Sequence, residues 1–167
     1  EVIIVDNKYK EVSRNTIGQI CVKGMNVMKE YYKNSEETKK SFHNAWLLTG
    51  DLGLMDEDQY VFVRGRIKEL IIKGGENISP REIDDVLYQH KDIVEAAAFA
   101  MPCEHYGEKI EAGVVLKEGS NITSDQVIEH CKSLIGKFKS PSKIHFLNEL
   151  QKGPSGKIQR FKIKNLI

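Results

Sequence analysis

The apolar and polar positions of this chain change period about two-fifths of the way along. The first part is strand-like. "EVIIVD" is a short apolar run ending in an acidic turn, and "IGQICVKG" alternates through Ile20 and Val22, as a half-buried strand does. "NSEETKKSF" interrupts with helix-start chemistry: Asn34 or Ser35 can cap, and acids fill the first turn. "WLLTGDLGLMDEDQYVFVRGR" then predicts two strands joined by a turn at "DEDQ". After "GRIKELIIKGGENISP" helices and strands alternate. Ser79, Pro80 and Glu82 predict a helix start, with Ser79 capping, Pro80 in the first position and Glu82 reaching back in a capping box. Ile83, Val86 and Leu87 give that helix one apolar face. A second box at Thr123 and Gln126 opens a helix whose stripe is Val127, Cys131, Leu134 and Ile135. "VEAAAFAMP", "EAGVVLK" and "SKIHFLN" read as strands, and "MPCEHYGEK" as a loop turning at Gly107 and Glu108. The fold class is α+β, with a β-rich unit over residues 1–67 and a small mixed α/β unit over 68–167.

Composition narrows the function. The 167 residues, 40% hydrophobic, suffice for one medium domain or two small ones. A net charge of +1 sets up no global field for nucleic acid or a membrane surface. The charge is uneven, however: eight cations from Lys137 to Lys164 face a single Glu149. That tail is either a solvated face or an anion site. Cys21, Cys103 and Cys131 have no zinc-like spacing, and a reducing, cytoplasmic compartment fits them. No metal site is expected. No apolar run reaches the length of a membrane span. The chain opens at "EVIIVD" without Met, as though cut from a longer protein.

Several residues could carry chemistry. Asp51 stands on a Thr-Gly turn after an apolar run. It reads as a turn cap, or as a carboxylate accepting two hydrogen bonds from a ribose diol. Arg66 and Lys68 lie at the boundary, either as a solvated strand end or as a planar fork and a cation for phosphate or diol oxygens. Gly74 and Gly75 permit a plain turn or a close backbone approach by a ligand. In "QKGPSGKIQR" only Pro154 and Ser155 separate Gly153 from Gly156, and Ile158 follows Lys157. A phosphate-binding P-loop needs a longer spacing and a Ser or Thr there, so this is a different glycine turn carrying a mobile point charge. The five histidines adjoin no nucleophile motif, and Trp46 and Tyr60 read as core.

Taken in order, "GQICVKG", "WLLTGDLG", "GRIKELIIKGGENISPREID", "MPCEHYGEK" and "GPSGKIQR" resemble the adenylate-forming superfamily, in particular the acyl-CoA synthetases of the oxalate–CoA ligase and 4-coumarate–CoA ligase-like branch. The resemblance covers essentially the whole chain. It implies the end of a large N-terminal AMP-binding domain over residues 1–67 and the small mobile C-terminal domain over 68–167. It implies a carboxylic acid, ATP and CoA as small-molecule partners, with Mg2+ held mainly through ATP and N-terminal regions that precede this sequence. It also implies roles: Asp51 and Arg66 on the ribose, Lys68 as hinge, Gly74 and Gly75 beside the pantetheine, and Lys157 between substrate carboxylate and phosphate. Departures from the family pattern fall at turns, among them Met25, Glu30, Gln59, Ser140, Gln151 and Gly153. The rival expectations are an adenylation domain that loads a carrier protein, where Asp is usual at the hinge, and a non-catalytic anion-binding module using the basic tail. The isolated chain is expected to be inactive.

Overall fold

A computed structural model describes residues Glu1–Ile167. The chain forms two compact units, Glu1–Lys68 and Glu69–Ile167.

The first unit is one antiparallel sheet. Strands β1 (Val2–Val5) and β2 (Gly18–Val22) pair, then helix α1 (Ser35–Ser41) leads into β3 (Phe42–His43), β4 (Trp46–Met55) and β5 (Val61–Arg66). Asn34 caps α1 by accepting from the Glu37 amide. The long β4 has β2 on one side and both β3 and β5 on the other. Ile4, Ile20 and Met55 form its small core. The β4–β5 turn falls at "DEDQ": Asp56 Oδ1 accepts from the Tyr60 amide at 2.8 Å, and Gln59 takes φ 68°. Glycine would adopt that left-handed conformation without the Cβ penalty that Gln59 carries. Tyr60 is not core: it is 69% exposed. It leads into β5, an edge strand paired only with β4, on which Phe62 and Val63 are exposed as well.

The second unit begins at Glu69, the last residue of the 3-10 turn Ile67–Glu69. Its elements are β6 (Ile71–Lys73), β7 (Glu76–Ile78), α2 (Pro80–Leu87), β8 (Ile93–Cys103), β9 (Gly107–Leu116), α3 (Ser124–Lys139), β10 (Lys143–Phe146) and α4 (Arg160–Ile163). The mixed sheet runs β10-β9-β6-β7, with β8 also on β9, and β10 lies parallel to β9 because α3 provides the crossover between them. Ala96 and Ala98 of β8 face α2 and α3, packing with Ile83, Leu87, Val114 and Val127. The neighbours Ala97 and Phe99 face the other way, against Leu150 and Ile163 of the C-terminal segment. The alanine run is therefore a strand buried on both faces. Gly113 of β9 is required by that second layer, since a Cβ there would lie 3.1 to 3.2 Å from Leu147, Ile163 and Leu150.

Three expectations need correction. The Thr123–Gln126 capping box forms, but Ser79 makes no side-chain cap bond to α2. The Glu82 carboxylate accepts two charge-assisted hydrogen bonds from Lys139, at 2.7 and 2.9 Å. Leu134 is 51% exposed, while Val127 and Cys131 are buried; helical geometry breaks at Gly136, φ 74°, and the stripe ends before it. "MPCEHYGEK" is largely a hairpin and not a loop: β8 continues to Cys103, β9 resumes at Gly107, and the turn is Glu104–Tyr106. Pro102 is tolerated because β8 has a partner only on its β9 side.

Candidate functional site

In the first unit the "TGD" turn is built by Thr49, whose Oγ1 donates to the Ile20 carbonyl at 2.8 Å and accepts from the Asp51 amide at 3.0 Å. Gly50 supplies the positive φ of 74° between them. This leaves the Asp51 carboxylate only partly buried, directly across β4–β5 from Arg66. Arg66 Nε lies 3.0 Å from Asp51 Oδ1. The two candidates, far apart in sequence, thus form one polar pair. Asp51 retains a second carboxylate oxygen for a diol, and Arg66 retains its two terminal nitrogens. Lys68 is exposed on the 3-10 turn.

In the second unit Gly74 and Gly75 form the two-residue connection of the β6–β7 hairpin, with φ 57° and 85°. Both central residues of such a turn need positive φ, which glycine adopts without strain. The Gly74 amide donates to the Tyr106 carbonyl at 2.9 Å. A Cβ on Gly74 would come within 3.3 Å of the Tyr106 ring and 3.7 Å of Phe138. Gly74 therefore lies against two aromatic rings, while Gly75 faces open space. Those rings stand edge-on at 6.2 Å and line a groove of about 600 Å³ with Lys73, Lys132 and Lys137; Asp125 is the one acid in its wall.

Lys73 was missed by sequence reasoning, as were Tyr106 and Phe138. A signal for Lys73 existed: period-two alternation in "IIKGG" puts it on the face of Ile71, which is fully buried. Its ammonium donates to the Phe138 carbonyl and lies 4.7 Å from the Phe138 centroid and 5.5 Å from that of Tyr106. Burial pushes the Lys73 ammonium below the ordinary lysine range. Nothing in the sequence around Tyr106 or Phe138 marks them, since they meet only across the β8–β9 turn and the end of α3.

Lys157 is exposed and in no ion pair, on a turn that closes on itself. The Gly153 amide donates to the Lys157 carbonyl at 2.8 Å, and the Gly156 amide to the Gly153 carbonyl at 2.9 Å. Much of the basic tail is already used: Lys139 pairs with Glu82, Lys152 with Glu95, and Arg160 with Asp84 and Glu69. No group of three or more His, Cys, Asp or Glu side chains converges on a possible ion position. No helix is long and apolar enough to cross a membrane. All three cysteines are free, with Cys21 and Cys131 buried.

Residues 82–157 match the family described as the AMP-binding enzyme C-terminal domain. This segment belongs to that family. The chain's relatives are acyl-CoA ligases. It is 47% identical over 150 residues to the sulfoacetate–CoA ligase of Cupriavidus necator, covering 89% of this chain and 30% of that one. It is 42% identical over 160 residues to the oxalate–CoA ligase of Arabidopsis thaliana, covering 96% and 31%. Among solved structures, ATP-bound MatB from Rhodopseudomonas palustris matches with a TM-score of 0.95 and 36% identity, over 99% of this chain and 33% of that one. MenE from Bacillus subtilis, in complex with an acyl-adenylate intermediate, matches with a TM-score of 0.90 and 34% identity, over 98% and 33%. The chain thus spans about a third of the length of these proteins. The α+β fold expected from the sequence agrees with these neighbours.

Proposed function

We propose that this chain is the C-terminal part of an ATP-dependent acyl-CoA synthetase, which joins a carboxylic acid to CoA through an acyl-adenylate. On this reading residues 1–67 end the large AMP-binding domain, and 68–167 are the small domain that turns about Lys68. The observation that carries it is Lys157: an unpaired, exposed ammonium on a self-closed turn inside the segment that matches the family.

The first step brings the carboxylate of the acid onto the α-phosphate of ATP. An oxygen–phosphorus bond forms, and pyrophosphate leaves with the electron pair of the broken bond. Two anions must meet, and the Lys157 ammonium offsets their repulsion and the charge growing on phosphorus. Removing such a donor costs about 10²–10³ in rate. Asp51 accepts hydrogen bonds from the ribose hydroxyls, and Arg66, oriented through its Nε, presents its terminal nitrogens on the same side. Mg2+ would come with ATP.

In the second step CoA thiolate attacks the acyl carbon and AMP departs. The groove suits the nucleotide end of CoA. Lys137 offsets phosphate charge, beside a Lys132 that is shared with Glu129, and the Tyr106 and Phe138 faces accept an adenine ring or the pantetheine arm. Gly74 and Gly75 have no side chains to obstruct that arm. This groove favours CoA over a carrier protein as acceptor. The ion pairs that consume Lys139, Lys152 and Arg160 weaken the reading of the tail as a general anion-binding face.

The test uses the full-length enzyme with Lys157→Ala. Pyrophosphate exchange should fall about 10²–10³-fold, while CoA-dependent AMP release from supplied acyl-adenylate persists. Equal losses in both half-reactions would make Lys157 structural. Transfer to a carrier protein with no CoA-dependent release would select the carrier-loading alternative.

A further inference from the structure

Arg160 follows Lys157 closely and begins α4. Its guanidinium is one of the most heavily bonded groups in the second unit. Nη1 donates to Asp84 Oδ1 at 3.1 Å and to the Ala98 carbonyl at 3.0 Å, and Nη2 donates to Asp84 Oδ2. Asp84 Oδ1 also accepts from the Ala98 amide at 2.7 Å. Ala98 lies on the unpaired edge of β8, so Asp84 and Arg160 together satisfy both its backbone groups. The Asp84 side chain is 9% exposed and that of Arg160 21%. The remaining donor, Arg160 Nε, lies 3.4 Å from Glu69 Oε2. Glu69 is the residue next to Lys68.

We propose that Arg160 is a positioning residue for Lys157, a strut that ties the Lys157 turn both to the α2–β8 frame and to the residue beside the hinge. The role rests on the reading of Lys157 and Lys68 given above. The turn has a lighter anchor at its other end, the ion pair of Lys152 with Glu95, in which Lys152 is 44% exposed. Between the two anchors the turn's own hydrogen bonds hold its shape, and the buried Ile163 holds α4 against the sheet. Arg160 alone joins the turn to Glu69. Backbone rotation at Lys68 would therefore carry the Lys157 turn as part of one body. Adenylation is sensitive to this, because a misplacement of roughly 1 Å costs on the order of 10² in rate. Thioester formation makes no use of Lys157 and should not be sensitive.

The experiment compares Arg160→Gln, Arg160→Lys, Glu69→Gln and Lys157→Ala in the full-length enzyme. It reads kcat and KM for ATP in pyrophosphate exchange, thioester formation from supplied acyl-adenylate, and the thermal melt. Arg160→Gln should lower the kcat of exchange by about 10–100-fold, with KM for ATP and thioester formation unchanged. Arg160→Lys keeps the charge but loses the fork, and should recover only part of the rate. Glu69→Gln leaves the buried pair intact; it should melt as the parent does and still lose exchange by about 3–10-fold. Wild-type exchange in both Arg160→Gln and Glu69→Gln overturns the proposal. So does a fall of both half-reactions in parallel with the melt. If Arg160→Gln does not fold, Glu69→Gln decides alone. Lys157→Ala separates the two ideas: normal exchange there removes the role of Lys157 itself, whereas its loss beside normal Arg160 and Glu69 variants removes only the strut.

Discussion

Asp51 and Arg66 are direct cross-strand partners, with Arg66 Nε 3.0 Å from Asp51 Oδ1 at the end of the β4–β5 ladder. Each orients the other, and neither is consumed. A carboxylate has two oxygens and a guanidinium five donors, so the pair can close on a ligand's diol without first breaking.

The pair should therefore matter for ATP and little for folding. Asp51→Ala is expected to raise KM for ATP by about 10–100-fold, the worth of hydrogen bonds to a charged group. The melt should hardly move, since a pair with Arg66 57% exposed contributes about 0–1 kcal/mol. Arg66→Lys should behave like Arg66→Ala, because an ammonium cannot bond Asp51 and a diol with one fixed fork. Steady-state kinetics beside a thermal melt would decide; a large fall in stability with unchanged KM would make the pair structural.

Lys68→Pro should divide the two half-reactions. Lys68 is exposed on a single 3-10 turn between the two units. Proline fixes φ near −65° and removes an N–H. With the adenylating arrangement locked, pyrophosphate exchange survives while CoA transfer falls by several orders of magnitude, as for other gated steps. Both half-reactions are measured beside the melt. A normal melt with neither reaction impaired would remove Lys68 as the hinge.

Acid should loosen the second unit through Glu111. Its side chain is 4% exposed, with Lys109 Nζ at 2.8 Å and His145 Nε2 at 2.6 Å. Burial alone would push its carboxyl up, but the hydrogen bonds and charges of Lys109 and His145 hold it below the ordinary 4.5. A carboxyl depressed in the folded state stabilises above its unfolded value, and that stability is lost as pH falls through the folded value. The melting temperature of the parent should drop below pH 4.5. Glu111→Gln should flatten that drop while costing about 1–3 kcal/mol at neutral pH. An unchanged pH profile in the variant would show that other groups set it.

Gln59→Gly should stabilise the β4–β5 turn. Gln59 sits at φ 68°, where a residue with Cβ carries a penalty of about 1–2 kcal/mol. Glycine removes it and gives back part as chain entropy, leaving a gain of about 0.5–1 kcal/mol. Chemical denaturation of the two forms would measure it, and a loss of stability would mean that the Gln59 side chain holds the turn in another way.

Local chemistry makes much of this protein legible in its sequence. Glycine pairs, caps and period-two alternation act over a few residues, so β1, β2, β4, β5, β8, β9 and β10, the Thr123–Gln126 box and the turns carrying Asp51, Gly74, Gly75 and Lys157 could be placed from the sequence, whereas the short strands β3, β6 and β7 could not. The order of the five motifs pointed to the chemistry. Tertiary structure decided what depends on partners distant in the chain. Glu82 paired with Lys139, Tyr60 fell on an open edge, and Lys73 met Tyr106 and Phe138. Arg160, read in sequence as one more cation of a basic tail, closed on Asp84, Ala98 and Glu69. A charge's role depends on which opposite charge or unpaired backbone group lies within about 3 Å, and that distance is set by the packing of sheet and helices, which the spacing of residues along the chain does not encode.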